Sequence, residues 1–275
     1  MDPRPIGVFD SGLGGLTCVT HLLRLMPQER VVYFGDTART PYGSKAVETI
    51  RHFSREIITF LVEQDCKAIM IACNTVSSIA LDDLRQHFPK LPIVGIIEPV
   101  VEELAASYQA KDQVRAAVIG TKVTIESGIY PRLFREALPN FDLASQACPL
   151  FVPLIEEGLK DHEMMDLAIH YYLDDFLTEE EITDLILGCT HYHLIQDRLG
   201  EIYPQLRIHS PAHAQVEALR RVLTEQGLLA GEAIEKRPVE ENLFYASDLS
   251  GSYRKMIAEI VQDQSARIKF KNLAL

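Results

Sequence analysis

With 275 residues, 47% of them hydrophobic, the chain is long enough to bury one large core or two of ordinary size and too apolar for disorder. Its net charge of −12 at pH 7 argues against a nucleic-acid binder, which needs a basic stripe to neutralise phosphates. No apolar run approaches the roughly 18 residues of a membrane helix, and Met1-Asp2-Pro3-Arg4-Pro5 does not open a signal peptide, so a cytoplasmic protein with no membrane contact is expected.

Strand-like and helix-like segments alternate along the chain. Ile6-Gly7-Val8-Phe9 is a short apolar run that breaks into Asp10-Ser11-Gly12-Leu13-Gly14-Gly15. Residues 16–26 read as a helix stopped by Pro27, and Val31-Val32-Tyr33-Phe34 as a strand ending in Gly35-Asp36-Thr37. Over 45–63, Val47, Ile50, Phe53, Ile57, Phe60 and Leu61 recur at three- and four-residue spacings, which predicts an amphipathic helix with Ser44 as its N-cap. A strand over 68–72 delivers Cys73-Asn74-Thr75, and a helix over 77–88 follows, closed by Pro89. A strand over 93–97 ends at Glu98-Pro99.

The grammar then repeats. Ala116-Ala117-Val118-Ile119 runs into Gly120-Thr121 as Val8-Phe9 ran into Asp10-Ser11. A strand over 141–147, a helix over 164–177, a strand at Leu185-Ile186-Leu187 before Gly188-Cys189-Thr190-His191, and a strand over 206–208 complete the second run. After Ser210-Pro211 come a helix over 212–226, a polar loop, a strand at Asn242-Leu243-Phe244-Tyr245 and a last helix over 253–261.

Buried strands alternating with helices mean parallel sheets covered on both faces. Two such runs predict an α/β protein of two similar, pseudo-symmetric domains, each a mostly parallel sheet flanked by helices, with the active site in the cleft between them. The tail is expected to return to the first domain, giving 1–97 plus 210–275 for the first and 98–209 for the second.

Ligands in open parallel sheets bind at the carboxyl ends of the strands, and every unusual polar cluster here falls at such an end. There are five cysteines, Cys18, Cys66, Cys73, Cys148 and Cys189. An odd number at irregular spacing in a reducing compartment reads as free thiols. Cys18, Cys66 and Cys148 read as small buried hydrophobes. Cys73 and Cys189 differ: each sits at a strand-to-helix junction, where free N–H groups and the helix dipole favour a thiolate, and each is followed by an amide or hydroxyl residue. One such thiol in each half of a repeat could face a ligand from opposite sides. Two opposed acid/base groups suit inversion at a carbon bearing an acidic C–H, one removing the proton and the other returning it. Asp10 and His191 are at hand to take or hold a thiol proton.

Other readings carry less. The glycine-rich turn from Asp10 to Gly15 opens a helix and could cradle a carboxylate, but it is neither a dinucleotide fingerprint nor a P-loop. Lys45 could form a Schiff base with pyridoxal phosphate, yet no neighbouring feature supports it. Cys189, His191 and His193 alternate and His209 and His213 are spaced i, i+4, but no CxxC or HExxH accompanies them. No metal is expected, and His193, His209 and His213 read as solvent-facing or supporting groups.

Taken in order, Asp10-Ser11-Gly12-Leu13-Gly14-Gly15, Gly35-Asp36-Thr37 through Pro41-Tyr42-Gly43, Ala72-Cys73-Asn74-Thr75-Val76-Ser77 and Gly188-Cys189-Thr190-His191-Tyr192 resemble the motif set of the glutamate racemases, over nearly the whole chain. The resemblance implies a cofactor-independent 1,1-proton transfer that makes D-glutamate for peptidoglycan, carried out by a homodimer. It implies Cys73 as base for the D-enantiomer and Cys189 as base for the L-enantiomer. Asp10 would partner Cys73, and His191 with Glu156 would assist Cys189. Asp10, Ser11, Asn74, Thr75, Thr121, Thr190 and His191 would surround the α-amino and α-carboxylate groups, and Pro41, Tyr42, Gly43 and Ser44 the side-chain carboxylate. Two positions depart from the family's pattern: His193 stands where proline usually follows His-Tyr, and His209 stands near a usual aspartate. The nearest alternatives are aspartate or hydantoin racemase, and His191 after Gly-Cys-Thr favours glutamate. Some members of the family are linked to inhibition of DNA gyrase, a contact the acidic surface could support.

Overall fold

Two all-parallel sheets organise the chain, one of six strands and one of four. The computed structural model describes residues 1–108, 114–231, 241–249 and 267–273. The first run comprises β1 (Ile6–Asp10), α1 (Leu16–Leu25), β2 (Val31–Gly35), a 3-10 turn (Tyr42–Ser44), α2 (Val47–Glu63), β3 (Ala68–Ile71), α3 (Asn74–Ile79), α4 (Leu81–His87), β4 (Ile93–Val94) and α5 (Ile97–Tyr108). The second comprises β5 (Ala116–Gly120), α6 (Lys122–Glu126), α7 (Ile129–Ala137), β6 (Ala144–Ala147), α8 (Phe151–Glu156), α9 (Glu163–Glu179), β7 (Asp184–Gly188), a 3-10 segment (Thr190–Ile195), α10 (Gln196–Ile202) and β8 (Arg207–His209). Then follow α11 (Pro211–Glu225), β9 (Leu243–Ala246) and β10 (Arg267–Phe270).

Strand order exposes the repeat. The first sheet runs β10-β9-β2-β1-β3-β4 and the second β6-β5-β7-β8. Numbered within each run, both contain the order 2-1-3-4, which reverses direction between the first and third strands. At such a reversal the flanking connections leave to opposite sides, and a crevice opens beyond the strand ends. Asp10 ends strand one and Cys73 follows strand three of the first sheet, while Thr121 and Cys189 follow strands one and three of the second. Register places Gly120 opposite Gly188 and Phe9 opposite Ile71, so each pair of strands ends level.

Side-chain alternation divides the strands between three cores. Ile6, Val8, Tyr33 and Met70 of the first sheet join Val118 and Ile186 of the second in one cluster, through Leu22 of α1, Val100 and Leu104 of α5 and Leu219 of α11. The opposite faces, Phe34, Ile69 and Ile71 on one sheet and Ile119, Leu185 and Leu187 on the other, pack beneath α2 and α9 respectively. The period of two in each strand is what lets both faces be covered. Fully burying such an aliphatic side chain stabilises by about 1.5–3 kcal/mol, so the shared cluster holds the halves in one unit.

The structure departs from the sequence reading in several places. The strand expected over 93–97 stops at Val94, and Ile97 already begins α5, so Pro99 lies in a first helical turn. The first N–H groups of a helix have no intrahelical partner, and proline loses nothing there. The helix expected over 77–88 begins at Asn74 and breaks at Ala80, whose φ of −122° is not helical. Ser44 does not cap α2; it belongs to the 3-10 turn, and Ala46 is the N-cap residue. The strand near 242–245 lies beside β2 in the first sheet, held also by the Asn242 Oδ1 that accepts from Val31 N at 2.8 Å. The helix expected over 253–261 lies outside the described residues. Among the described residues no helix is long and apolar enough to cross a membrane.

Candidate active site

The ends of β1, β3, β5 and β7 converge on a small cavity of about 20 Å³. Cys73 and Cys189 both line it, one from each half. Each is the residue at which a strand gives way to a helical turn: Cys73 is the N-cap of α3 and Cys189 the N-cap of the 3-10 segment. Both are almost wholly buried, 4% and 6% exposed, so ions near them act in a poorly screened medium.

The two thiols have different neighbours. Sγ of Cys73 donates to Ser11 Oγ at 3.3 Å. Burial, reinforced by the negative charge of Asp10 and only partly relieved by Ser11, pushes its pKa up to about 12. Sγ of Cys189 stands 4.0 Å from Nδ1 of His191, whose Nε2 faces Glu156 Oε1 at 3.2 Å. Burial works against a charged His191, but the bonds to Cys189 and Glu156 outweigh it and hold the imidazole up at about 10. A doubly protonated ring can donate to the sulfur on one side and the carboxylate on the other, which a neutral ring cannot do at once. The site therefore holds a protonated thiol from one half and a sulfur beside an imidazolium from the other.

Asp10 does not line the cavity. Its Oδ2 accepts from Gly12 N at 3.0 Å and its Oδ1 from Thr190 Oγ1 at 3.3 Å, so it joins the first glycine-rich turn to the second half. Burial raises its pKa, against the opposing pull of His191 and the N–H groups of Gly15 and Gly12. Close approach of the halves depends on two glycines. A Cβ on Gly14 would lie 2.8 Å from His191 N and 2.7 Å from Thr190 Oγ1, and one on Gly43 would lie 2.5 Å from Thr121 Cβ.

Of the residues singled out in the sequence, Ser11, Pro41, Tyr42, Gly43, Asn74, Thr75, Thr121, Thr190 and His191 join the two cysteines around the cavity. Glu156 and Ser44 lie outside the lining, Glu156 behind His191 and Ser44 exposed in the 3-10 turn. Tyr42 is held from behind by Asp36, which accepts from its hydroxyl, from Arg39 Nε at 2.6 Å and from Ser247 Oγ at 2.7 Å. Thr75 and Thr121 meet across the cleft at 3.0 Å, with Thr124 Oγ1 also 3.0 Å from Thr121.

Sequence reasoning passed over four neighbours of this cavity. Thr40 lines it and donates to Glu156 Oε1 at 3.3 Å; its place beside Pro41-Tyr42 was the available signal. Val152 lines it one turn before Glu156 on α8, the spacing that shares a helix face. Thr124 is three residues beyond Thr121. Tyr130 bonds Asn74 from 56 residues away, and no local pattern marks it.

The other histidines separate. His213 is exposed and His209 Nε2 is 2.7 Å from Asp184 Oδ1. His193, expected to be a solvent-facing or a supporting group, does not turn its ring nitrogens to solvent: both are buried without a partner, and burial together with the nearby His21 and His191 depresses its pKa to about 3. Among the described residues no three His, Cys, Asp or Glu side chains are grouped to hold a metal ion. Cys18, Cys66 and Cys148 are buried at 0%, 4% and 0% exposure, within the hydrophobic clusters.

Residues 15–219 match the family described as Asp/Glu/Hydantoin racemase. Glutamate racemase of Thermus thermophilus is 44% identical over 233 residues, 84% of either chain. That of Geobacter metallireducens is 40% identical over 91% of this chain and 90% of its own. Among solved structures, glutamate racemase of Francisella tularensis in complex with D-glutamate superposes with a TM-score of 0.89 at 34% identity, covering 100% of this chain and 99% of that one.

Proposed function

Because the chain belongs to the Asp/Glu/hydantoin racemase family, and within it to the glutamate racemases, we propose that it interconverts L- and D-glutamate by a two-cysteine, two-base proton transfer needing no cofactor. The observation that carries the mechanism is the meeting of Cys73 and Cys189 in one cavity from equivalent strand ends of the repeat. An inversion needs an acid and a base on opposite faces of one carbon, and the repeat supplies one thiol to each wall.

In the L-to-D direction Sγ of Cys189 takes the α-proton, and the electron pair stays on the α-carbon, delocalised into the carboxylate. The S–H of Cys73 then delivers its proton to the other face. Support for starting in this direction comes from the burial that keeps Cys73 protonated and from His191, which keeps its own proton beside Cys189. The reverse direction begins with the roles exchanged, and Asp10 assists Cys73 as His191 with Glu156 assists Cys189. Oriented donors around the developing negative charge supply the main stabilisation, in a site where water is scarce. Ser11, Asn74, Thr75, Thr121 and Thr190 hold the α-amino and α-carboxylate groups. Tyr42 and Gly43, flanked by Pro41 and Ser44, hold the side-chain carboxylate.

On family grounds the D-glutamate serves peptidoglycan synthesis in the cytoplasm, and the working form is a homodimer. Incubation with L-glutamate and with L-aspartate in deuterium oxide tests the substrate. Loss of optical rotation together with the α-proton signal is expected for glutamate, and exchange on aspartate alone would overturn the assignment.

A further inference from the structure

Asn74 follows Cys73 into α3, lines the cavity and is only 2% exposed. Its Oδ1 accepts from the hydroxyl of Tyr130 at 2.7 Å. Its Nδ2 is buried and has no partner. Tyr130 comes from α7 in the second half, is 1% exposed and does not line the cavity. The two ends of an amide have nearly the same shape and opposite chemistry, one donating and one accepting. A fixed hydroxyl donor on one end therefore decides what the other end offers. A buried N–H left unmade is costly, so such a group is retained where something arrives to accept from it.

We propose that Tyr130 is a positioning residue for substrate binding: by holding Asn74 Oδ1 it turns the Asn74 NH₂ into the cavity, where it binds the carboxylate attached to the reacting carbon. This rests on the racemase reading of the site. The reverse orientation would present a carbonyl, which suits an ammonium group and repels a carboxylate. Because Tyr130 and Asn74 belong to opposite halves, the binding donor is set only when the halves are together.

A double-mutant cycle on glutamate turnover tests this. Tyr130→Phe should raise KM for both enantiomers by about tenfold or more, with kcat changed much less, as expected when a hydrogen bond to a charged group loses its orientation. In the Asn74→Ala background the same substitution should have no effect on KM. A near-isosteric Asn74→Asp keeps an acceptor for Tyr130 and turns a carboxylate oxygen toward the substrate. It should raise KM further than Asn74→Ala does. An unchanged KM in Tyr130→Phe, the same KM factor in both backgrounds, or equal KM values for Asn74→Asp and Asn74→Ala would each overturn the proposal. Wild-type protein that turns over no glutamate would sink the racemase reading and this one with it, whereas an active wild type with an unaffected Tyr130→Phe would sink this one alone.

Discussion

Sγ of Cys189 lies 4.0 Å from His191 Nδ1, a charged partner, whereas Sγ of Cys73 lies 3.3 Å from Ser11 Oγ, a neutral one. The fold is a repeat, yet the two thiols are not electrostatically equivalent. Two identical acids facing one carbon would have no preferred resting state, and His191 breaks that symmetry by placing a charged imidazole beside one sulfur only.

His191→Asn should therefore remove the charge that supports Cys189. We expect kcat/KM to fall by about 10²-fold or more, the usual scale for losing a placed acid–base group. The fall must be equal in both directions, because enantiomers have equal free energies and the equilibrium constant is one. The asymmetry can show only in kcat and KM taken separately, read from progress curves started from each enantiomer.

Glu156→Gln should act on the pH profile more than on the neutral rate. The His191 imidazole is held at about 10 by Cys189 and Glu156 together. Its charge is present below that value and lost as pH rises through it. Without the carboxylate the imidazole loses its proton at lower pH, so the alkaline limb of kcat/KM should move down the scale. Profiles of both proteins from pH 7 to 11 would show it, and an unmoved limb would remove Glu156 from the account.

Much of this arrangement could be read from the sequence, and the boundary is physical. An apolar run that ends in Asp10-Ser11, Cys73-Asn74 or Cys189-Thr190 is a local pattern, and a parallel sheet gives such endings a common edge. The internal repeat was visible for the same reason, and the strand order 2-1-3-4 in both sheets expresses it. What could not be read was set by packing. Ile93 to Ile97 is apolar throughout, and only the helix begun at Ile97 shows that the strand ends at Val94. Ser44 looks like a cap because the pattern of α2 can be extended back to Lys45, while Tyr42–Ser44 forms a 3-10 turn and α2 begins two residues after Lys45, at Val47. Tyr130 reaches the cavity region only through tertiary contact. Glu156 entered through family resemblance; its own sequence neighbourhood gives an exposed acid beside Glu157.

Gly14→Ala tests whether the halves must close. The added methyl would meet the backbone of Thr190 and His191 at 2.8 Å, and backbone there cannot swing away. Displacing His191 by a fraction of an ångström should lower kcat/KM by about 10- to 100-fold. Secondary structure by circular dichroism should be unchanged, since Gly14 precedes α1 and lies outside every strand.

Asp184 offers a stability test away from the cavity. Burial opposes its ionised form, but Arg207, His209 and Thr183 outweigh burial and draw its pKa down to about 2, against a usual 3.8. A depressed carboxylate stabilises the fold above pH 3.8, and the contribution is lost as pH falls through 2. Asp184→Asn should cost about 1.5–3 kcal/mol at neutral pH, the scale for hydrogen bonds to a charged group. Urea titrations should show that difference shrinking between pH 4 and 2.

The claim that two opposed thiols exchange one α-proton is tested most directly by racemisation of glutamate in Cys73→Ser and Cys189→Ser, each checked to melt as the wild type does. A hydroxyl is too weak an acid to replace a thiol in this role, and both variants should lose at least about 10³-fold in rate from either enantiomer. Full activity in either one would contradict the two-base account.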